Sequence, residues 1–367
     1  MTKIIKHKSY LLLSLFLLIS NAPSKVEAQV KRQREGSLTR VQSVGLEGGW
    51  AYPEQSLVRV GDYIISVGGV SGGMEGNAYH RAALYRIHPK GTLGFVQKLA
   101  VRAAGLSAKG RTVYAIAFDG GGLTTHIEVF ELPDKTGPMR IDVNKKPPLQ
   151  YTRYMRCLTP LADGVAVAET LKPGNSETDT VRLLSSRADQ VLATHRFKKT
   201  RWFVYGAIRP EMIMSLAANA RILAARLAGG RVRLLDLDNS LKPRHDMKLN
   251  GLGAVTLSGQ TLYAYLTNGT LQAYDVSNPD SPAQLWSRSI PRVPNPKGIV
   301  IDGERIIVHG TGLTEAWTND AHPPTYFRVN YKWTTLECVI ANGDLIYAFN
   351  NGGSVCKVMT LKLVRPR

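Results

Sequence analysis

Cysteine is scarce in this chain: Cys157, Cys338 and Cys356 are the three present in 367 residues. Three is an odd number, so at least one thiol stays outside any disulfide within the chain or pairs between chains. A disulfide framework is therefore excluded as the basis of the fold, and a chain of this length buries a large core without one. Cys338 and Cys356 fall in the first and third expected strands of one repeat. Those strands are not neighbours in a simple meander, so a bond between them would need unusual geometry, and buried thiols are the expectation. Long apolar runs are missing too. After residue 28 nothing approaches the roughly 20 apolar residues of a membrane-spanning helix, so no span is expected once a leader is removed. Carboxylates are outnumbered, with 28 Asp and Glu against 47 Lys and Arg. His80, His126, His195, His245, His309 and His322 stand singly, without the short spacing of metal ligands.

What the chain does have is a repeat. Seven times a short apolar run ends in a turn and a second apolar run follows at once. The turns are marked by Gly61, Gly110, Gly164, Asn219, Gly259, Gly303 and Gly343, at successive spacings of 49, 54, 55, 40, 44 and 40 residues. Strand-like units at such a period predict an all-β fold, a β-propeller, with seven four-stranded blades. Six or eight blades stay open as alternatives, because repeats three and four are long and irregular. The run after each turn is apolar almost without interruption, as in Tyr63–Val67, Val113–Phe118, Leu262–Leu266 and Leu345–Phe349. Such runs fit strands covered on both faces, as the middle strands of a blade are between two neighbours.

Thr267-Asn268-Gly269-Thr270 is a strong hairpin signal, and Asn-Gly predicts a type I′ turn. Ser277-Asn278-Pro279-Asp280-Ser281-Pro282 then turns the chain out to an edge strand over 283–289. Over residues 252–290 the sequence resembles one unit of the LVIVD-type propeller repeat. The likeness is carried by Leu257-Ser258-Gly259, by Leu262-Tyr263-Ala264-Tyr265 and above all by Tyr274-Asp275-Val276-Ser277-Asn278-Pro279. Elsewhere the match is one of period. The resemblance implies a propeller in a secreted or surface protein, and it supplies no catalytic residues.

The ends fit a closed ring. The seventh repeat has three strands and stops at Arg367, and Leu38–Gly45 would supply the fourth from the N-terminal side, removing exposed edges. Residues 1–28 read as a signal peptide: Lys3, Lys6 and Lys8 precede an apolar stretch over 10–19, and Val26-Glu27-Ala28 suits cleavage after Ala28. No cysteine follows for a lipid anchor. Residues 29–36 are then a basic, flexible N-terminus and 37–367 a single propeller domain. The expected location is outside the cytoplasm, periplasmic or extracellular.

Charge is the strongest functional signal. The chain carries +19, and losing the four Lys and one Glu of residues 1–28 leaves +16. Such an excess attracts anions and raises their encounter rate. It gathers around repeats three and four, where Lys198, Lys199, Arg201 and Trp202 are followed by Arg226, Arg231 and Arg233. These seven are the candidate binding residues for an acidic macromolecule or another protein: an anionic polysaccharide, lipid headgroups at a membrane surface, or an acidic protein. The export signal disfavours nucleic acid. The bland alternative is a basic protein whose charge only maintains solubility.

Catalytic constellations are not apparent. Gly68-Gly69-Val70-Ser71-Gly72-Gly73 follows a strand but leads to another strand, whereas a phosphate-cradling loop needs a helix start. The five Trp (Trp50, Trp202, Trp286, Trp317, Trp333) hold no regular repeat position, which disfavours a quinone-dependent dehydrogenase. Residues after the second strand of each repeat are the natural central-mouth set: Asp119, Glu169, Arg226, Asn268, His309 and Asn350. The expected function is non-catalytic binding or scaffolding, with no cofactor. The alternative is a lactonase-like hydrolase in the central mouth, with Glu169, His309 and Asp119 binding a divalent cation such as Ca or acting as acid and base.

Overall fold

In the computed structural model, which describes residues 34–46, 55–67, 70–71, 78–79, 81–118, 125–132, 154–170, 179–197, 212–319, 322–329, 335–351 and 356–366, five of the seven marker residues share one backbone conformation. Gly61, Gly110, Gly259, Gly303 and Gly343 have φ of 57°, 58°, 56°, 62° and 59°. Positive φ at the first central residue is what a type II′ hairpin turn requires, and glycine adopts it without steric cost. Asn219 solves the same problem with its side chain: Oδ1 accepts from the amides of Arg221 (2.9 Å) and Ile222 (2.7 Å). Apart from Arg34, the described residues belong to one compact unit, Glu35–Arg367.

The strands run in chain order as follows. β1 (Arg34–Leu46) comes first. The first module holds β2 (Leu57–Val60), β3 (Tyr63–Ser66), a small hairpin of β4 (Val70–Ser71) and β5 (Ala78–Tyr79), then β6 (Arg81–Ile87) and the first part of β7 (Leu93–Lys109). The second continues with the rest of β7, β8 (Thr112–Phe118) and β9 (Thr125–Glu131). The third is β10 (Tyr154–Pro160), β11 (Gly164–Thr170), β12 (Thr180–Ser185) and β13 (Val191–Arg196). The fourth is β14 (Ile213–Ala218), β15 (Ile222–Leu227), β16 (Arg231–Asp236) and β17 (Lys242–Lys248). The fifth is β18 (Leu252–Ser258), β19 (Thr261–Leu266), β20 (Thr270–Asp275) and β21 (Ala283–Ser289). The sixth is β22 (Gly298–Asp302), β23 (Arg305–Gly310), β24 (Gly312–Trp317) and β25 (Thr325–Arg328). The seventh begins with β26 (Leu336–Asn342), β27 (Leu345–Asn351) and β28 (Cys356–Val364). The protein is thus all-β among the described residues, built largely from four-stranded antiparallel meanders. No helix there is long and apolar enough to cross a membrane.

The seventh module takes its fourth strand from the other end of the chain. β1 lies antiparallel to β28 from Ser37↔Val364 to Leu46↔Cys356, and its other edge joins β25. The predicted strand over 38–45 is therefore present and longer, beginning at Arg34. Gln42 fastens it to the first module, donating to Leu93 O at 2.9 Å and accepting from Leu93 N at 2.6 Å.

Every second strand is covered on both faces by alternation. Ile65 packs towards the second module and Ile64 towards the seventh. Leu223 and Ala225 face the third module while Ile222 and Ala224 face the fifth. Tyr347 and Phe349 face the first and Ile346 and Ala348 the sixth. Apolar clusters fill each boundary between consecutive modules, including that between the seventh and the first. The first strands touch in the same cyclic order, β2, β7, β10, β14, β18, β22 and β26, and β26 touches β2 again. A period-two strand with both faces apolar needs a neighbour on each side, and this cycle provides one for all seven.

One turn differs from expectation. The Asn268-Gly269 hairpin forms, but positive φ occurs at Gly269 (93°) and not at Asn268. Gly269 N donates to Leu266 O at 2.9 Å, so three residues separate β19 from β20. A loop of three takes a type I turn followed by a left-handed residue, rather than type I′. Gly230 closes the β15–β16 hairpin in the same way, with φ of 71°.

Candidate functional site

First strands share a second irregularity. Register shifts fall at the same early point of five of them: between Ala103 and Gly105, Met155 and Cys157, Ile213 and Ser215, Leu252 and Ala254, and Leu336 and Cys338. A bulge re-aims the extra residue's side chain. Two bulge residues, Met214 and Glu337, line a cavity of about 340 Å³ at the starts of the first strands.

The cavity wall is mostly apolar, with Ile213, Met214, Val255, Ile299 and Val339 contributing. Among the described residues its charged groups are Lys297, immediately before β22, and Glu337 on β26. Lys297 Nζ lies 3.0 Å from Glu337 Oε2, with both side chains largely shielded from solvent. Beside them is His309 on β23. Its Nδ1 lies 2.8 Å from Leu336 O, which makes Nδ1 the protonated nitrogen donating to that carbonyl. The ring lies across β22 at Gly298, where a Cβ would come within 2.5 Å of Nε2. Burial pushes the His309 pKa down to about 4, with the charge of Lys297 adding to the effect and the Leu336 bond opposing it. Burial disfavours the imidazolium, so at neutral pH the ring is neutral and Nε2 carries a lone pair. Gln55, just before β2, reaches across to β10, where Nε2 donates to Leu158 O and Oε1 accepts from Leu158 N at 3.0 Å. Cys157 and Cys338 are buried thiols on this wall.

The expected central-mouth residues are spread differently. Of those among the described residues, only His309 lines this cavity. Glu169 pairs with Arg182 Nε at 3.4 Å and lies 3.4 Å from Thr180 Oγ1, both on β12 of its own module. Asn350 donates to Thr335 O at 2.9 Å. These two share a register, each opposite the residue before the bulge, as Leu227 and Leu266 also are. Arg226 is one residue short of it and so lies on the other sheet face. Arg226 is buried, donating to Ser215 Oγ at 3.1 Å and to Gly253 O of the next module. Asn268 accepts from Thr270 N at 3.0 Å within its turn. Asp119 lies outside the described residues. Among the described residues no group of three or more His, Cys, Asp or Glu is placed to hold a metal ion.

Of the expected basic face, Lys198, Lys199, Arg201 and Trp202 lie outside the described residues. Arg233 forms a two-point ion pair with Asp246, both bonds at 2.7 Å, and its guanidinium lies 5.0 Å from the Phe197 ring. Arg231 approaches the same carboxylate at 4.0 Å. The Arg233 hydrogen bonds hold Asp246 below the usual carboxylate range.

Sequence reading missed Lys297, Glu337 and Gln55. Glu337 had a signal: it is the lone charge in Leu336-Glu337-Cys338-Val339-Ile340, a run that is otherwise apolar. An acid there must be paired or re-aimed, and here it is both. No family model matches the sequence, and no curated protein matches it.

Proposed function

We propose that the chain is an exported seven-bladed β-propeller that binds an acidic partner through a basic exterior around its third and fourth modules. The cyclic contacts of the first strands, the seven inter-module clusters and the completion of the last module by β1 support the propeller. The LVIVD-type likeness of residues 252–290 agrees with it, and the leader-like residues 1–28 support export.

The binding reading rests on one observation: the cations that remain unneutralised. Arg196, at the end of β13, and Lys242 and Lys248, on β17, are exposed on the outermost strands of adjacent modules. Among the described residues none of the three forms an ion pair with a carboxylate, and Lys242 acts on Asp280 only at longer range. The segment carrying Lys198, Lys199 and Arg201 joins β13 to β14, in the same stretch of chain. Inner carboxylates are already engaged, Glu169 by Arg182 and Glu315 by Arg305 and Arg365. Exposed Arg196, Lys242 and Lys248 thus support a basic exterior, which would favour association with polyanions.

The test is binding of the chain from Gln29 onward to a sulfated polysaccharide, a uronic acid polymer, an acidic polypeptide and phosphatidylglycerol vesicles across a salt series. Tight binding to one of these that survives near-physiological salt supports recognition, and charge reversal at Lys198, Lys199 and Arg201 then abolishes it while the fold is kept. Weak binding to all, vanishing with salt, reduces the charge to an atmosphere and contradicts the proposal.

A second reading, hydrolysis at the centre, has His309 in its favour because it lines the cavity. Its depressed pKa makes it a weak base at neutral pH, which counts against efficient general-base catalysis. Turnover of small esters or lactones that disappears in His309→Ala would restore that reading.

A further inference from the structure

The central cavity holds a cation, an anion and a lone pair that polyanion binding at the exterior does not use. Lys297 and Glu337 are 3.0 Å apart and together carry no net charge. A ligand of net charge placed against them would leave one charge uncompensated in a partly desolvated site, which is costly. A ligand with one positive and one negative group keeps the site neutral, its anion on Lys297 and its cation on Glu337. His309 sharpens this choice. With Nδ1 committed to Leu336 O, Nε2 is an acceptor and calls for a donor, as an ammonium or hydroxyl provides. Lys297 already acts on this ring electrostatically. The rest of the wall is largely aliphatic and thioether, interrupted by Gln55, Ser215, Thr256 and the thiols of Cys157 and Cys338, and its Met214, Val255 and Val339 side suits an apolar side chain. A volume of about 340 Å³ is at the small end of the range of about 300–1,000 Å³ usual for small-molecule sites.

We propose that the central cavity binds a small zwitterion, an α-amino acid with an apolar side chain. Its carboxylate takes Lys297, its ammonium is shared by Glu337 and His309 Nε2, and its side chain lies against Met214, Val255 and Val339. The site is separate from the basic exterior, so failure of polyanion binding leaves it untouched.

The test is calorimetric titration of the chain from Gln29 onward with L-leucine, L-valine and L-methionine. Two analogues of leucine complete the set: 4-methylpentanoate, which lacks the ammonium, and isopentylamine, which lacks the carboxylate. The expected result is binding of at least one amino acid, with the analogues of leucine at least about tenfold weaker than leucine itself. Lys297→Met and Glu337→Gln each weaken amino-acid binding by about tenfold or more. Gly298→Ala, whose Cβ would displace the His309 ring, weakens it while leaving the ion pair intact. Charge reversal at Lys198, Lys199 and Arg201 leaves it unchanged. No binding of any of the three amino acids at concentrations up to about 10 mM overturns the proposal. Equal affinity for an analogue and for leucine overturns the zwitterion assignment, and unchanged affinity in all three cavity variants overturns the location.

Discussion

The two ends of each module obey different rules. At the end where first strand turns into second, Gly61, Gly110, Gly259, Gly303 and Gly343 repeat one conformation within a few degrees. At the other end, where first strands begin and second strands finish, equivalent positions carry Glu169, Leu227, Leu266 and Asn350, and each polar one has its own bonding pattern. Polar groups stitch neighbouring modules at both ends. Asn219 Nδ2 donates to Gly259 O at 2.9 Å and Arg305 to Gly343 O at 2.7 Å at the turn end. Arg226 and His309 reach the next first strand at the other. The turn end is fixed by a steric requirement that five of the seven modules share. The opposite end is bound by no such requirement, and the cavity and its charges are found there. A fixed scaffold with variable loop ends is the usual division between fold and site.

The largest disruption is expected where the two ends are held together, in the second strands. Phe349 is fully buried at the boundary of the seventh and first modules. Phe349→Ala should cost about 3–5 kcal/mol in denaturant unfolding. A loss below about 1 kcal/mol would mean that this boundary is not a packed core.

Acid acts next, and at the cavity end. His309 has a pKa of about 4 in the folded chain against an ordinary 6.5. Between those values the unfolded chain binds a proton that the folded chain refuses, so stability falls as pH falls through that window. The full contribution is about 3 kcal/mol, complete near pH 4 and absent above pH 6.5. His309→Gln should remove this part of the pH dependence, read as the difference between the two unfolding curves at pH 7 and pH 4. Parallel curves would contradict a neutral buried ring.

The turn end gives the smallest and cleanest effect. Gly259 has φ of 56° and no atom within 4 Å of a Cβ built on it, so substitution there meets conformational cost alone. Gly259→Ala should cost about 1–2 kcal/mol and Gly259→Asn less, because Asn tolerates the left-handed region. Equal costs would show that the turn is not held by φ.

The same contrast explains what the sequence reveals. The turn glycines and the apolar second strands are visible because their causes are local: one needs positive φ, the other needs cover on both faces. The pairing of β1 with β28 is legible because the last repeat offers three strands and 38–45 is strand-like. The cavity end is not legible in this way. Glu169, Arg226 and His309 stand at similar points of their repeats, yet a one-residue offset sends Arg226 to the opposite face and the bulges decide which side chains turn inward. The bulge at Met214 leaves no mark in composition, the lone charge of Glu337 in its apolar run shows that something is unusual but not where it points, and the contact between Lys297 and Glu337 spans a module boundary that only folding creates.

Hydrogen exchange across β1 and β28 tests the closed ring most directly, since both functional proposals rest on it. If β1 completes the last module, amides of 37–46 exchange as slowly as those of 356–364, because one ladder protects both. Exchange of 37–46 at the rate of unprotected chain, with 356–364 still protected, would contradict closure and with it the ring that surrounds the cavity.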